Sequence, residues 1–261
     1  MNEPSGFETV DPAPDDEPAD YKQARIWYLI VNGLAFAAFI GGVVWADHYQ
    51  AVIWTMIALP ILPVYVLHRF DGIIKLTATR GRGGQASVGL GLVAPAFILA
   101  MHGFADWDVL NWDDFWLPCA FFSLALAALL ITYVKEMRRD AAGAVMCYIC
   151  CAAYGYGAAL DVNGMLATGA ATPYPARIAG QYTEPGKNYQ TNYFFTLAPW
   201  GPRLVDTRVP VSKSEYDHHA IGDTVNEWVR VGELGIPCYF MREPAGKGRI
   251  LIENGTPNTR G

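Results

Sequence analysis

The run Lys135-Glu136-Met137-Arg138-Arg139 separates two uncharged apolar stretches, Phe115–Val134 and Ala141–Leu160. Each stretch is long enough to cross a bilayer, because about 20 residues at a rise of roughly 1.5 Å per residue span the hydrocarbon core. A basic turn this short stays on the cytoplasmic side of a membrane. The reading therefore puts everything after Leu160 on the opposite side.

Working toward the amino terminus, three more spans are expected: Ile26–Ala46, Ala51–Leu67 and Ala86–Phe104. The first is too long for a signal-peptide core, and the leader before it is acidic where a signal would be basic, so it reads as an uncleaved helix. Pro60 and Pro63 bend or loosen the second, which membrane helices tolerate when neighbours re-satisfy the freed backbone groups. The third holds Pro95 and, near its end, His102, which is read as a solvated ring at the water interface. Between spans two and three, Arg69 to Gln85 carries Arg69, Lys75, Arg80 and Arg82 and ends near GRGG. That glycine run lacks the spacing and the terminal Lys-Ser/Thr of a nucleotide-binding loop. A basic connector beside anionic headgroups is the preferred reading.

With the amino terminus inside, the cytoplasmic stretches hold nine Lys or Arg and the short outer loops none. That bias orients the chain with its amino terminus cytoplasmic and residues 161–261 outside, in a bacterium the periplasm. Trp45, Trp54, Trp107, Trp112 and Trp116 would gather near the outer membrane face, where an aromatic ring with a polar edge is at home. The acids of ADWDVLNWDD (Ala105–Asp114) keep that loop in water; a cation site would need a fixed geometry for its oxygen ligands.

Composition agrees with an integral protein: 52% of the 261 residues are hydrophobic, in blocks, and only 17% are charged, against roughly 25% in soluble domains. A formal charge of −6 argues against a nucleic-acid partner, which would favour a basic face. Residues 1–20 hold seven acids and four prolines and read as part of a disordered leader, residues 1–24. Of the five cysteines, four lie in apolar runs, which is no disulfide framework. Cys147 and Cys150 form a C-x-x-C, a spacing used for metals and thiol redox. Yet Gly143, Cys147, Cys151, Gly155 and Ala159 form a stripe of small residues at four-residue steps, the usual surface for close helix packing in lipid. Packing is the preferred account.

The outer segment reads as a linker, 161–172, and a small β domain, 173–261. Strands are expected at Arg177–Tyr182, Asn192–Ala198, Leu204–Val211, Thr224–Val231 and Pro237–Met241, with Arg249–Ile252 as a weak sixth. Gly, Pro, Asn and Asp punctuate them. Ser212–His219 suits one helical turn. Five or six short strands suggest a small closed β-barrel or a curled sheet, since closure removes exposed edges. Val209, Val211, Val225, Val229, Val231, Trp228 and Tyr239 are the expected core of a domain that folds alone. Trp200, at a hairpin tip, is the candidate partner-contact anchor, with a place on the lipid headgroups or as a cap on the barrel as the alternatives. His218 and His219 lack the further ligands that a metal needs.

LAPWGP (Leu197–Pro202), GDTV (Gly222–Val225) and GELGIPCYF (Gly232–Phe240) resemble a family of uncharacterised bacterial inner-membrane proteins. That family joins several membrane helices to a carboxyl-terminal β domain and carries Trp where this chain has Cys238. The resemblance implies the same architecture and is silent on activity.

The fold class expected is therefore α+β: five transmembrane helices within residues 25–160, then a small all-β, barrel-like extracytoplasmic domain. No catalytic, cofactor or metal-binding residues are assigned. The leading function is a non-enzymatic accessory subunit of the bacterial inner membrane that contacts a protein partner in the envelope. The alternatives are an immunity-type protein against a membrane-targeted toxin, a small transporter or channel, and a membrane thiol enzyme. Only Asn32, Thr55, Ser123 and Thr132 lie deep in the spans, few for an ion path. The C-x-x-C has no adjacent cationic group to activate a thiol.

Overall fold

A computed structural model describes residues 19–44, 49–76, 87–138, 141–186 and 190–241. Residues 1–18, Trp45, the GRGG run with Arg80 and Arg82, Arg139 and Arg249–Ile252 fall outside the described residues.

The chain is α+β. Helices α1 (Ala19–Val44), α2 (Tyr49–Ala58), α3 (Ile61–Arg69), α4 (Leu90–Asp106), α5 (Trp116–Tyr133) and α6 (Ala141–Met165) form the helical part. Four helical stretches are long and apolar enough to cross a membrane: Ala19–Val44, Gln50–Arg69, Trp116–Tyr133 and Gly143–Met165. The third expected span is the shorter α4, 17 residues long. It starts late because the chain before it is packed under the bundle. Phe70, Ile74, Leu76 and Val88 are buried with the helices, Ser87 Oγ donates to Leu76 O, and Asn32 Nδ2 of α1 donates to Ser87 O. The second expected span is two helices, broken at Leu59–Pro60, since proline supplies no N–H for the helical ladder.

Helices α4 and α5 both pack on α6 through small residues. A Cβ on Gly155 would overlap Ser123 Oγ of α5 and lie 2.6 Å from Cys119 O. A Cβ on Gly157 would overlap the Leu99 carbonyl of α4. The opposite faces stay apolar and exposed, with Leu29, Phe36, Leu117, Phe121 and Leu124 among them.

Strands β1 (Asp108–Val109), β2 (Thr172–Pro185), β3 (Thr191–Leu197), β4 (Thr207–Val211), β5 (Thr224–Val231) and β6 (Pro237–Phe240) make one antiparallel sheet in the order β1-β6-β5-β2-β3-β4. Long β2 is its pivot. Residues 172–177 pair with β5, residues 178–185 with β3, and the register shifts between Ile178 and Gly180. That irregularity curls the sheet into a half-barrel, the curled-sheet alternative of the expectation. Among the described residues the edge strands, β1 and β4, do not pair with each other, so the sheet is open. Short α7 (Lys213–His218) follows β4, started by a capping box of Ser212 and Glu215.

The boundaries differ from expectation in three places. Helix α1 begins at Ala19, inside the expected leader. Helix α6 runs to Met165, into the expected linker, because Asp161 and Asn163 are buried against tertiary partners. The sheet also recruits β1 from the α4–α5 connection, so the half-barrel is built from both parts of the chain. Of the expected core, Val231 is exposed, and Trp228 sits on the opposite face from Val225 and Val229, as strand alternation requires.

Candidate functional site

Strand β5 reads Thr224-Val225-Asn226-Glu227-Trp228-Val229-Arg230-Val231. Alternation puts Val225, Glu227 and Val229 on one face. Pairing sets Tyr174 opposite Glu227, Tyr239 opposite Val229, and Asp108 opposite Tyr239. This is the inner face, lined by Ala176, Phe195, Trp200 and Tyr239. An acidic residue therefore occupies an inward position in an apolar and aromatic core.

Glu227 is 0% exposed, and neither of its carboxyl oxygens has a hydrogen-bond partner. The two tyrosines beside it both pack on Trp200, whose ring centroid lies 6.2 Å from that of Tyr174 and 5.6 Å from that of Tyr239. The Arg203 guanidinium lies 5.6 Å from the centre of the Tyr239 ring, and Arg203 Nη1 donates to Leu110 O at 3.3 Å. Trp200 Nε1 and Arg203 Nε are buried without partners.

Burial pushes the Glu227 carboxyl up to about 8, and the Asp108 charge adds to the rise. Asp108 is open to solvent along the sheet edge. Lost hydration on its other side still raises it, while Arg203 pulls it back. Tyr239 is pushed up to about 12 by burial, with Asp108 contributing. Cys238, on the other face of β6, is pushed up to about 12 by burial and then by Asp108. At neutral pH the Glu227 carboxyl is thus mostly protonated.

A second set of polar contacts joins this sheet to the helices. Asn163, at the end of α6, grips the turn of GELGIP. Its Nδ2 donates to Ile236 O at 2.9 Å, while its Oδ1 accepts from Leu234 N at 3.1 Å and Ile236 N at 3.2 Å. Gly232 must be glycine here, because a Cβ would overlap the Asn163 amide. Trp107 Nε1 donates to Asp161 Oδ1 at 3.1 Å, and the Trp107 indole lies where a Cβ on Gly164 would go. Val109, Ile236 and Cys238 pack with Phe115, Ala159 and Leu160 of the bundle. Nearby, the ring of His102 bridges Asp106 Oδ2 at 2.9 Å and Gly42 O at 3.1 Å. It is a half-buried tie between α4 and α1, not the solvated ring expected.

Trp200 requires a correction. It is 3% exposed and belongs to the inner core, because the Trp200–Arg203 turn folds down over Tyr174. A buried ring cannot serve as an open anchor. Its neighbours Leu204 and Val205 are instead 84% and 61% exposed. Within the α6 stripe, Gly143 is half-buried, Cys147, Cys151, Gly155 and Ala159 are buried, and Cys150 is half-buried. Trp54, Trp112 and Trp116 are exposed, whereas Trp107 is half-buried on Asp161. Among the described residues, no group of three or more His, Cys, Asp or Glu is placed to hold a metal.

The motifs behind the resemblance are turns. LAPWGP makes the Trp200 turn, with Gly201 at φ 39°; GDTV enters β5 from Gly222 at φ 101°; GELGIP is the turn held by Asn163, with Gly235 at φ 81°. Sequence reasoning missed Glu227 and Asn163, and read Asp108 as one of the acids that keep its loop in water and Arg203 as the end of the Trp200 turn. The alternation Val225–Glu227–Val229 carried a signal for the first, an acid in an inward register. No family model matches this chain, and no curated protein or solved structure matches it.

Proposed function

We propose that this is an integral protein of a bacterial inner membrane, an accessory subunit that holds its β half-barrel outside the bilayer to bind a partner protein. The observation that carries the reading is the mount. Strand β1 comes from the connection between two helices and pairs with β6, and Asn163 of a third helix grips the neighbouring turn. Such a mount fixes the orientation of a recognition surface, which lowers the ordering cost of binding. A flexible tether would serve a domain that works alone.

The basic turn after α5 and the connector after α3 lie at one end of the bundle, joined by the Lys135–Asp71 ion pair and the His68–Tyr133 ring contact. The half-barrel is at the other end. That polarity supports a cytoplasmic basic end and an extracytoplasmic sheet. Binding is preferred to catalysis because Glu227, Trp200 and Tyr239 are closed off from any substrate. The contact surface assigned is the exposed apolar tip Leu204–Val205.

Photo-crosslinking tests this reading. A photoreactive residue replaces Leu204 or Val205, one at a time, in the full chain in its native membrane. The expected result is a discrete protein–protein adduct at both positions and none at Thr183, on the exposed side of β2. Adducts to lipid alone, or none at either position, would overturn the partner reading.

A further inference from the structure

We propose that Glu227 is a proton-controlled latch: protonated and buried, it keeps the β1–β6–β5 side of the half-barrel seated on the helices, and loss of its proton releases β1. The proposal depends on the mount described above and not on the identity of any partner.

Geometry comes first. Glu227 is fully buried and neither oxygen is satisfied. An ionised carboxylate without partners is costly to hold in such a place, so the group either stays neutral or leaves. The titratable and charged groups facing it are few. Tyr174 comes from β2, Tyr239 from β6, Asp108 from β1, and Arg203 from the turn after β3. Burial holds Tyr239 uncharged, pushing it up to about 12. Asp108 repels a charge on Glu227. Arg203 is already engaged with Leu110 O and the Tyr239 ring. None of these groups hydrogen-bonds the Glu227 carboxyl, so an ionised Glu227 has no direct partner there.

The way out is through β1, the weakest strand. It has two residues and pairs only with β6. Its continuation is held by Leu110 N donating to Pro237 O at 2.9 Å and by the Arg203 contact. Releasing it detaches the α4–α5 connection from the sheet and moves Asp108 away from Glu227. Sheet and helices would then stay joined through Asn163, the α6–β2 connection and the packing of Ile236 and Cys238 with Phe115, Ala159 and Leu160.

The direction with pH follows from linkage. The folded carboxyl titrates near about 8 and the exposed one near 4.5. The closed state therefore binds the proton more tightly. Its stability is fully present below 4.5, declines as pH rises through the interval, and levels off above about 8. Within that interval the open population grows about tenfold per pH unit.

The experiment is hydrogen exchange on the full chain in detergent or lipid discs, corrected for the intrinsic pH dependence of exchange. Between pH 5.5 and 7.5, opening at Leu110 and Tyr239 should rise on the order of 100-fold, while Phe195 and Val209 in β3 and β4 stay flat. Glu227→Gln should abolish the slope. Should that variant not fold, Asp108→Asn decides: with the like charge gone, the levelling-off must move to lower pH. A flat wild-type profile, a slope that survives Glu227→Gln, or an unmoved profile in Asp108→Asn overturns the latch.

Discussion

Gly157 shows how little room the bundle leaves for a single methyl group. A Cβ there would meet the backbone of Leu99 and Ala100, with Ala100 N at 2.6 Å. Backbone cannot swing aside as a flexible side chain can. Gly157→Ala should therefore destabilise the bundle by about 1–3 kcal/mol through overpacking. Gly33, on α1, has nothing within 4 Å of its would-be Cβ. Gly33→Ala should be neutral or stabilising, by up to about 1 kcal/mol from helix propensity. Thermal unfolding of both variants in one detergent compares them, and an unchanged midpoint for Gly157→Ala would contradict the packing account. The small-residue stripe through Gly155 was legible from four-residue spacing. Gly157 lies off that stripe and faces a different helix, which periodicity along one line could not show. Trp200 teaches the same lesson: its type suggested an anchor, but the fold of its turn made it core.

Among elements, α6 carries the join between helices and sheet. Residues Asp161–Met165 read DVNGM, a sequence rich in turn formers. They stay helical because Asp161 accepts the Trp107 indole N–H and Asn163 satisfies three backbone groups of the turn at Leu234–Ile236. Tertiary hydrogen bonds outweigh weak local propensity. Asn163→Ala would leave Leu234 N and Ile236 N unpaired, at roughly 1–3 kcal/mol for each that stays buried, while Ile236 O still accepts from Gly232 N. Amide exchange at Leu234 and Ile236 should accelerate at least tenfold, while β3 and β4 remain protected. Unchanged protection would show that the turn stands without the clamp. An excised 173–241 segment also lacks β1, so it should melt well below the same sheet in the full chain. The capping box at Ser212 is the contrasting case. Its signal, Ser followed three residues later by Glu, is entirely local, and α7 forms where the sequence indicates.

For the whole molecule, the prediction is orientation. The basic end, with Lys135 paired to Asp71, lies opposite the half-barrel along α5 and α6. The proposed topology puts that end in the cytoplasm. Alkaline phosphatase fused after Met241 should be active in cells, and the same reporter fused after Leu76 should be inactive. The reverse pattern would invert the protein, and activity at neither site would remove the half-barrel from the outer compartment.

Apolar runs, their length and the basic residues between them were readable because each depends on composition over one continuous stretch. So were the strands β3, β5 and β6, whose alternation and turn residues are local. The tertiary structure alone decided the rest. Strand β1 is two residues of an acidic, Trp-rich connection, and it exists only because β6 offers an edge about 130 residues later in the chain. The sheet curls where β2 shifts register between Ile178 and Gly180, which no single strand encodes. Glu227 was visible as an acid on an inward strand position, but its charge state was not. That depends on burial within the inner face and on Asp108, brought from the α4–α5 connection, since hydration and electric field are properties of the space around a group and not of its neighbours in sequence.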